Sequence, residues 1–264
     1  MQDLKITYVQ AELVWEDIPA NLEKFTSILS TLEGKQDLVI LPEMFNTGFS
    51  VTPDKIAELP GSRTMIWMHE QAKALNCVLC GTVIIKEGGY FFNRMVWMRP
   101  DGSYESYDKR HLFRMGNEHL RFNAGRKRLV IDLKGWKIRP LTCYDLRFPV
   151  WAKNTYASDH YEYDVLLYLA NWPEVRRHPW KSLLVARSME NVAYTIGINR
   201  VGTDGMGNAH SGDSVCLDYK GEVISLIPEH TEGTDTVVLS YDQLNDFRSK
   251  FNIGAEWDLF NIQL

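Results

Sequence analysis

The sequence is poor in cysteine, has no surplus of positive charge and no long apolar run, and carries none of the common nucleotide or metal signatures. Four cysteines in 264 residues do not make a disulfide framework, and each thiol is expected to stay reduced. The formal net charge is -5, so no basic field exists to hold nucleic acid or an anionic membrane surface. No stretch approaches the roughly eighteen apolar residues of a membrane span. The first residues, MQDLKIT, enter an alternating strand pattern at once, without the basic region and apolar run of a signal peptide. A soluble, cytoplasmic protein with no nucleic-acid or membrane partner is expected. No G-x-G-x-x-G or G-x-x-x-x-G-K-[ST] follows a strand. There is no H-E-x-x-H, and the seven histidines are scattered without ligand spacing, so neither a cofactor nor a metal is expected.

What is present is an ordinary globular composition, 45% hydrophobic and 24% charged, able to bury a sizeable core. No linker, low-complexity tract or internal repeat interrupts it, so residues 1–264 read as one domain. Short apolar runs at 5–10, 38–41, 78–85, 91–98, 138–142, 165–170, 195–200, 214–217 and 237–240 predict strands. Helical periodicity covers 18–32, 64–75, 148–153 with an extension, and 178–191. Turns at Pro100-Asp101-Gly102 and Tyr219-Lys220-Gly221 predict hairpins, which favour an α/β protein with a mixed sheet or two stacked sheets over a simple doubly wound sheet. The glycine-rich run at 202–208 reads as a flexible loop at the mouth of a site. Cys77 and Cys80 sit three apart in a strand, on opposite faces; they and Cys216 read as core.

Three segments place reactive side chains at strand ends, where α/β proteins build their sites. Residues 38–45, LVILPEMF, are an apolar strand ending in Glu43, whose apolar walls would suit it to proton transfer. Residues 138–151, IRPLTCYDLRFPVW, run from strand to helix at Cys143, the geometry of a nucleophile elbow. A thiol there is exposed above the sheet edge, with backbone N–H groups at hand for an oxyanion. The polar segment at 107–113 offers Lys109, and the one at 116–125 offers Glu118; alone, each resembles solvated surface.

Together, in this order, L-P-E-M-F, D-K-x-H-L-F and C-Y-D-L-R-F-P resemble the nitrilase superfamily of carbon–nitrogen hydrolases. The resemblance continues through Leu169-Ala170-Asn171-Trp172-Pro173, residues 186–191 and residues 199–202, and so covers nearly the whole chain. It implies a four-layer αββα sandwich with two mixed sheets, assembled as a homodimer or a higher homo-oligomer. It also implies a Glu43–Lys109–Cys143 triad with Glu118 as a second glutamate. Many members carry Glu where Val150 follows Pro149, so any ion pair of that residue is missing here. The expected mechanism has Glu43 as base, Cys143 as nucleophile, and Lys109 with the Tyr144 N–H holding the oxyanion. Glu118 orients Lys109 or the substrate amide. No papain-like signature pairs Cys143 with a histidine.

The segments around Cys143 and Trp172 are most similar to bacterial omega-amidases, which implies a small ω-amide of a dicarboxylic acid, of the 2-oxoglutaramate or succinamate type, as substrate. Arg147, Arg176 and Arg177 are candidates to pair with its carboxylate, since guanidinium forks bind carboxylates bidentately. Trp172 is a candidate pocket wall. An N-carbamoyl-amine or nitrile hydrolase is the alternative within the superfamily, and a catalytically silent binding subunit the alternative outside it.

Overall fold

Sixteen strands form in the computed structural model of the chain, which describes residues 1–263. The first sheet contains β1 (Leu4–Gln10), β2 (Leu38–Ile40), β3 (Val78–Glu87), β4 (Tyr90–Met98) and β5 (Tyr104–Asp108), and takes its sixth strand, β16 (Gly233–Leu239), from the far end of the chain. The second contains β6 (Ile131–Leu133), β7 (Trp136–Thr142), β10 (Val165–Leu169), β11 (Tyr194–Ile198), β14 (Val215–Leu217) and β15 (Val223–Leu226). Two small hairpins stand apart, β8 (Tyr156–Ala157) with β9 (His160–Tyr161), and β12 (Val201–Thr203) with β13 (Ala209–Ser211).

The sheets run in the orders β16-β1-β2-β3-β4-β5 and β6-β7-β10-β11-β14-β15. Read this way they have the same pairings in the same places. One antiparallel pair is followed by two parallel pairs, then by two antiparallel pairs. Each sheet therefore has a parallel triple at its centre, and the carboxyl ends of the two triples carry the polar residues described below.

Strand alternation assigns each residue to a layer. In the first sheet Leu4, Ile6, Tyr8, Leu38, Ile40 and Cys80 belong to the core shared with the second sheet. Val9, Val39, Leu41, Cys77 and Leu79 belong to a separate core under the helices. Cys77 and Cys80 thus point to opposite faces, as their spacing predicts. Central strands covered on both sides need apolar residues at every position, which is why Leu38-Val39-Ile40 reads as a continuous run.

Helices α1 (Ile18–Ser30) and α3 (Arg63–Leu75) cover the first sheet. Helix α1 starts at Asp17, whose side chain accepts the Ala20 N–H at 3.0 Å, and buries Leu22, Phe25 and Leu29 at helical spacing. The short α2 (Pro53–Ile56) lies between them in sequence. Helix α5 (Arg177–Asn191) covers the second sheet, lying so close to β11 that a Cβ on Gly197 would come 2.4 Å from Leu184. The result is the four-layer αββα sandwich with two mixed sheets.

Two helical segments differ most from the sequence reading. The helix expected from residue 148 onward is a single turn, α4 (Pro149–Ala152), with no extension. Arg139 takes the Trp151 carbonyl at 2.6 Å, and the Asn154 side chain bonds the Tyr163 and Asn191 carbonyls, so the chain turns into the β8–β9 hairpin. Helix α6 (Tyr241–Lys250) was not anticipated. Its sequence is largely polar, but Arg248 reaches Asp164 at 2.6 Å and the Tyr163 and Val192 carbonyls. That anchors α6 at the amino end of β10, away from the site. Among the described residues no helix is long and apolar enough to cross a membrane.

Candidate active site

Glu43 lies just beyond β2, where Leu41 still bonds the Cys80 carbonyl at 2.7 Å. The backbone then turns sharply, with Met44 at φ 44°, and sends Phe45 into the helix-side core against Phe25 and Trp67. The Glu43 carboxylate is fully buried, but not among the apolar walls its neighbours suggested. Its Oε1 accepts from Lys109 Nζ at 2.9 Å and Asn93 Nδ2 at 2.7 Å. Its Oε2 accepts the Asn171 N–H at 2.8 Å, and Asn171 Nδ2 donates to the Glu43 carbonyl. Asn171 follows β10, so these bonds join the carboxyl ends of the two sheets at the site.

Lys109 follows β5, and its N–H pairs with the Asn93 carbonyl at 2.9 Å. Its ammonium, also fully buried, lies between Glu43 and Glu118, 3.1 and 3.0 Å from the two oxygens of the latter. Burial pulls the ammonium down, but the Glu118 and Glu43 carboxylates outweigh it and hold Lys109 above the ordinary lysine range. Glu118 is buried as well, in a one-turn helix, and accepts the Phe113 N–H at 2.6 Å. Burial pushes its carboxyl up, and Lys109 opposes this.

Cys143 opens a one-turn helix at φ 43°, a left-handed conformation that is strained for a side chain other than glycine. The strain is held by Asp145, a fully buried carboxylate. Asp145 accepts the Thr142 N–H at 3.1 Å, the His111 N–H at 2.9 Å and the Tyr107 hydroxyl at 2.7 Å. Tyr107 and His111 flank Lys109 in sequence, so one carboxylate ties the elbow to the strand end carrying the lysine. Glu43, Lys109 and Glu118 are the charged groups that bear on the Cys143 thiol. Burial and the Glu43 charge push the thiol well above its ordinary value, with Lys109 opposing them. A thiol in this setting keeps its proton until a base takes it.

Lys109 and Cys143 open into a cavity of about 240 Å³ lined by Phe49, Phe113, Tyr144, Trp172, Arg147 and Arg176, among others. The Arg147 guanidinium stacks over Trp172 at 5.0 Å, and Arg176 over Phe113 at 5.3 Å. Among the described residues neither has a carboxylate partner, whereas Arg177 does. Arg177 lies outside this cavity, its fork on Asp213 at 2.7 and 3.2 Å and on Glu229. Arg177 therefore differs from Arg147 and Arg176: consecutive residues at the start of α5 point in different directions, and its guanidinium is already neutralised. Trp172 both lines the cavity and packs on Trp180 at 5.5 Å.

Asp204, Met206, Asn208 and His210 complete the wall. The glycine-rich loop is thus at the mouth, but as a hydrogen-bonded hairpin. Asp204 Oδ1 accepts the Met206 and Asn208 N–H groups at 2.9 and 2.8 Å. Gly205 lies under the Trp15 ring, where a Cβ would come within 2.3 Å. Burial first, then Arg200, lowers His210 to about 4, so its imidazole is neutral.

Sequence reasoning overlooked Asn93, Thr82, Asp145 and Asn171 as parts of the site. Asp145 left a local signal, since T-x-x-D at the start of a helix is a capping pattern, and Asn171 lies in a segment that carries the family resemblance. Among the described residues no group of three or more acidic, His or Cys side chains is placed to hold a metal.

The chain is 41% identical over 262 residues to the omega-amidase YafV of Escherichia coli K12, covering 99% of this chain and 100% of that one. It is 29% identical over 223 residues to the 2-oxoglutaramate amidase of Bacillus subtilis, covering 83% and 85%. The crystal structure of XC1258 from Xanthomonas campestris, a CN-hydrolase superfamily protein with an arsenic adduct in its active site, superposes with a TM-score of 0.97 at 40% identity over the full length of both chains. Saccharomyces cerevisiae Nit3 shares the fold with a TM-score of 0.82 at 21% identity, covering 95% and 94%. A family model of carbon-nitrogen hydrolases matches residues 5–248, and the chain belongs to that family.

Proposed function

We propose that the chain hydrolyses the terminal amide of a small ω-amide dicarboxylic acid, of the 2-oxoglutaramate or succinamate type, to the acid and ammonia. The observation that carries this reading is the union, in one cavity, of Cys143 and Lys109 with two guanidinium groups that have no acidic partner among the described residues. Similarity to omega-amidase YafV and to 2-oxoglutaramate amidase supports it.

An amide carbonyl is a poor electrophile and needs both an activated nucleophile and a place for negative charge. Glu43 takes the thiol proton as Cys143 Sγ attacks the carbonyl carbon. The carbonyl electron pair moves to oxygen, which the Lys109 ammonium and the Tyr144 N–H stabilise. Tyr144 lies in the first turn of its helix, where N–H groups have no partner within the helix. Glu43 returns the proton to nitrogen as the C–N bond breaks, and ammonia leaves a thioester on Cys143. Glu43 then takes a proton from water, whose oxygen attacks the thioester. The second tetrahedral intermediate expels the thiolate, which recovers its proton from Glu43. Glu118 holds Lys109 in place throughout. Arg147 and Arg176 hold the far carboxylate, so binding energy remote from the reacting carbon appears as rate.

The test is kcat/KM for succinamate against its uncharged methyl ester, with wild type and with Arg147→Ala, Arg176→Ala and Arg177→Ala. The acid is expected to outrun the ester in wild type. Arg147→Ala and Arg176→Ala narrow the gap, and Arg177→Ala leaves it in place. Equal rates for acid and ester, or faster turnover of carbamoyl amines or nitriles, would overturn the substrate assignment.

A further inference from the structure

Lys109 is not alone in touching both buried carboxylates. Asn93 on β4, itself fully buried, gives Nδ2 to Glu43 Oε1 at 2.7 Å and to Glu118 Oε1 at 3.2 Å. A carboxamide can turn either end toward an acid, and only its nitrogen attracts one. Here the backbone makes the choice. Thr82 Oγ1 accepts the Met44 N–H at 2.7 Å, which leaves its own proton to point at Asn93 Oδ1, 2.9 Å away. With its oxygen engaged there, Asn93 must present its NH2 to the acids. Met44 is the residue next to Glu43, so the turn that aims Glu43 also sets the polarity of the amide that holds it.

Two carboxylates this close to one ammonium leave one negative charge uncompensated in a buried site, and like charges there repel. The titratable groups facing the pair are Lys109 at the end of β5 and Cys143 at the elbow. Both are needed for the reaction, so neither is free to act only as a brace. We propose that Asn93 is a positioning residue: it holds Glu43 and Glu118 side by side in one fixed geometry beside Lys109 and Cys143, with its polarity set by Thr82. The proposal rests on Glu43 acting as the base.

The test compares Asn93→Asp, which replaces the donor by an acceptor of the same shape, and Asn93→Leu, which removes both. Each is expected to lower kcat about tenfold to a hundredfold, the scale for losing a hydrogen bond to a charged group, with KM little changed. The acidic limb of the kcat/KM–pH profile should move to higher pH, which a merely structural defect would not produce. Thr82→Val should shift the limb the same way, and Thr82→Ser, which keeps the hydroxyl, should restore it. If the Asn93 variants do not fold, the Thr82 pair decides. Alkylation of Cys143 by iodoacetamide needs no substrate, and its rise with pH should be displaced to higher pH in the Asn93 variants and Thr82→Val relative to wild type, so failure of the amide assignment is separable from failure of this one. Wild-type kcat and an unmoved acidic limb in Asn93→Asp and Asn93→Leu, or no difference between Thr82→Val and Thr82→Ser, would overturn the proposal.

Discussion

At the scale of single residues, the site separates a cysteine that needs a base from one that is already ionised. Reactive cysteines beside cations or helix amino ends commonly rest as thiolates. Cys143 has a cation nearby, but Lys109 is shared by two carboxylates, and burial and Glu43 push the thiol up. The thiol is thereby held toward its protonated form beside Glu43. Inactivation by iodoacetamide is expected to accelerate with pH and to show no plateau below about 8.5, the value of an ordinary cysteine. Cys77, Cys80 and Cys216 are also buried and pushed up, to about 12 in the case of Cys77, so they do not compete for the reagent. A plateau below neutrality would indicate a preformed thiolate and remove the need for Glu43 as base.

At the scale of elements, the sequence disclosed strands better than it disclosed their partners. The continuous run before Glu43 and the strand-to-helix junction at Cys143 are local facts, and both were legible. Lys109 and Glu118 were legible only through the family pattern, because their burial depends on a turn that folds one charged segment over another. Asn93 was not legible. An inward asparagine in an alternating strand looks like any other polar residue, and its partners lie 50 and 25 residues away. Arginines 176 and 177 were read alike because a sequence does not fix where the phase of a helix begins. The packing of α5 on β11 was equally hidden, since it depends on the absence of a side chain at Gly197. Gly197→Ala is expected to cost about 1–3 kcal/mol by overpacking, because the new Cβ would fall 2.4 Å from Leu184 and 2.8 Å from Trp180. Urea unfolding measures it, and an unchanged midpoint would show that α5 can move away freely.

At the scale of the whole molecule, the two sheets repeat one pattern of pairings, and the candidate site lies where their parallel triples end together. Glu43 comes from the first sheet and Cys143 from the second. Lys109 closes the gap from the end of β5, and Asn171 ties the second sheet back to Glu43. This arrangement explains why the candidate groups are spread over a hundred residues of sequence yet meet at one place in the fold. A single covalent intermediate is the point on which the proposed mechanism stands. The direct measurement is intact-protein mass spectrometry of enzyme acid-quenched during turnover of succinamate. Wild type is expected to carry one succinyl group, mapped by peptide analysis to Cys143, and Cys143→Ala to carry none and release no ammonia. Ammonia release by Cys143→Ala at the wild-type rate, or a succinyl group on any other residue, would contradict the thioester mechanism.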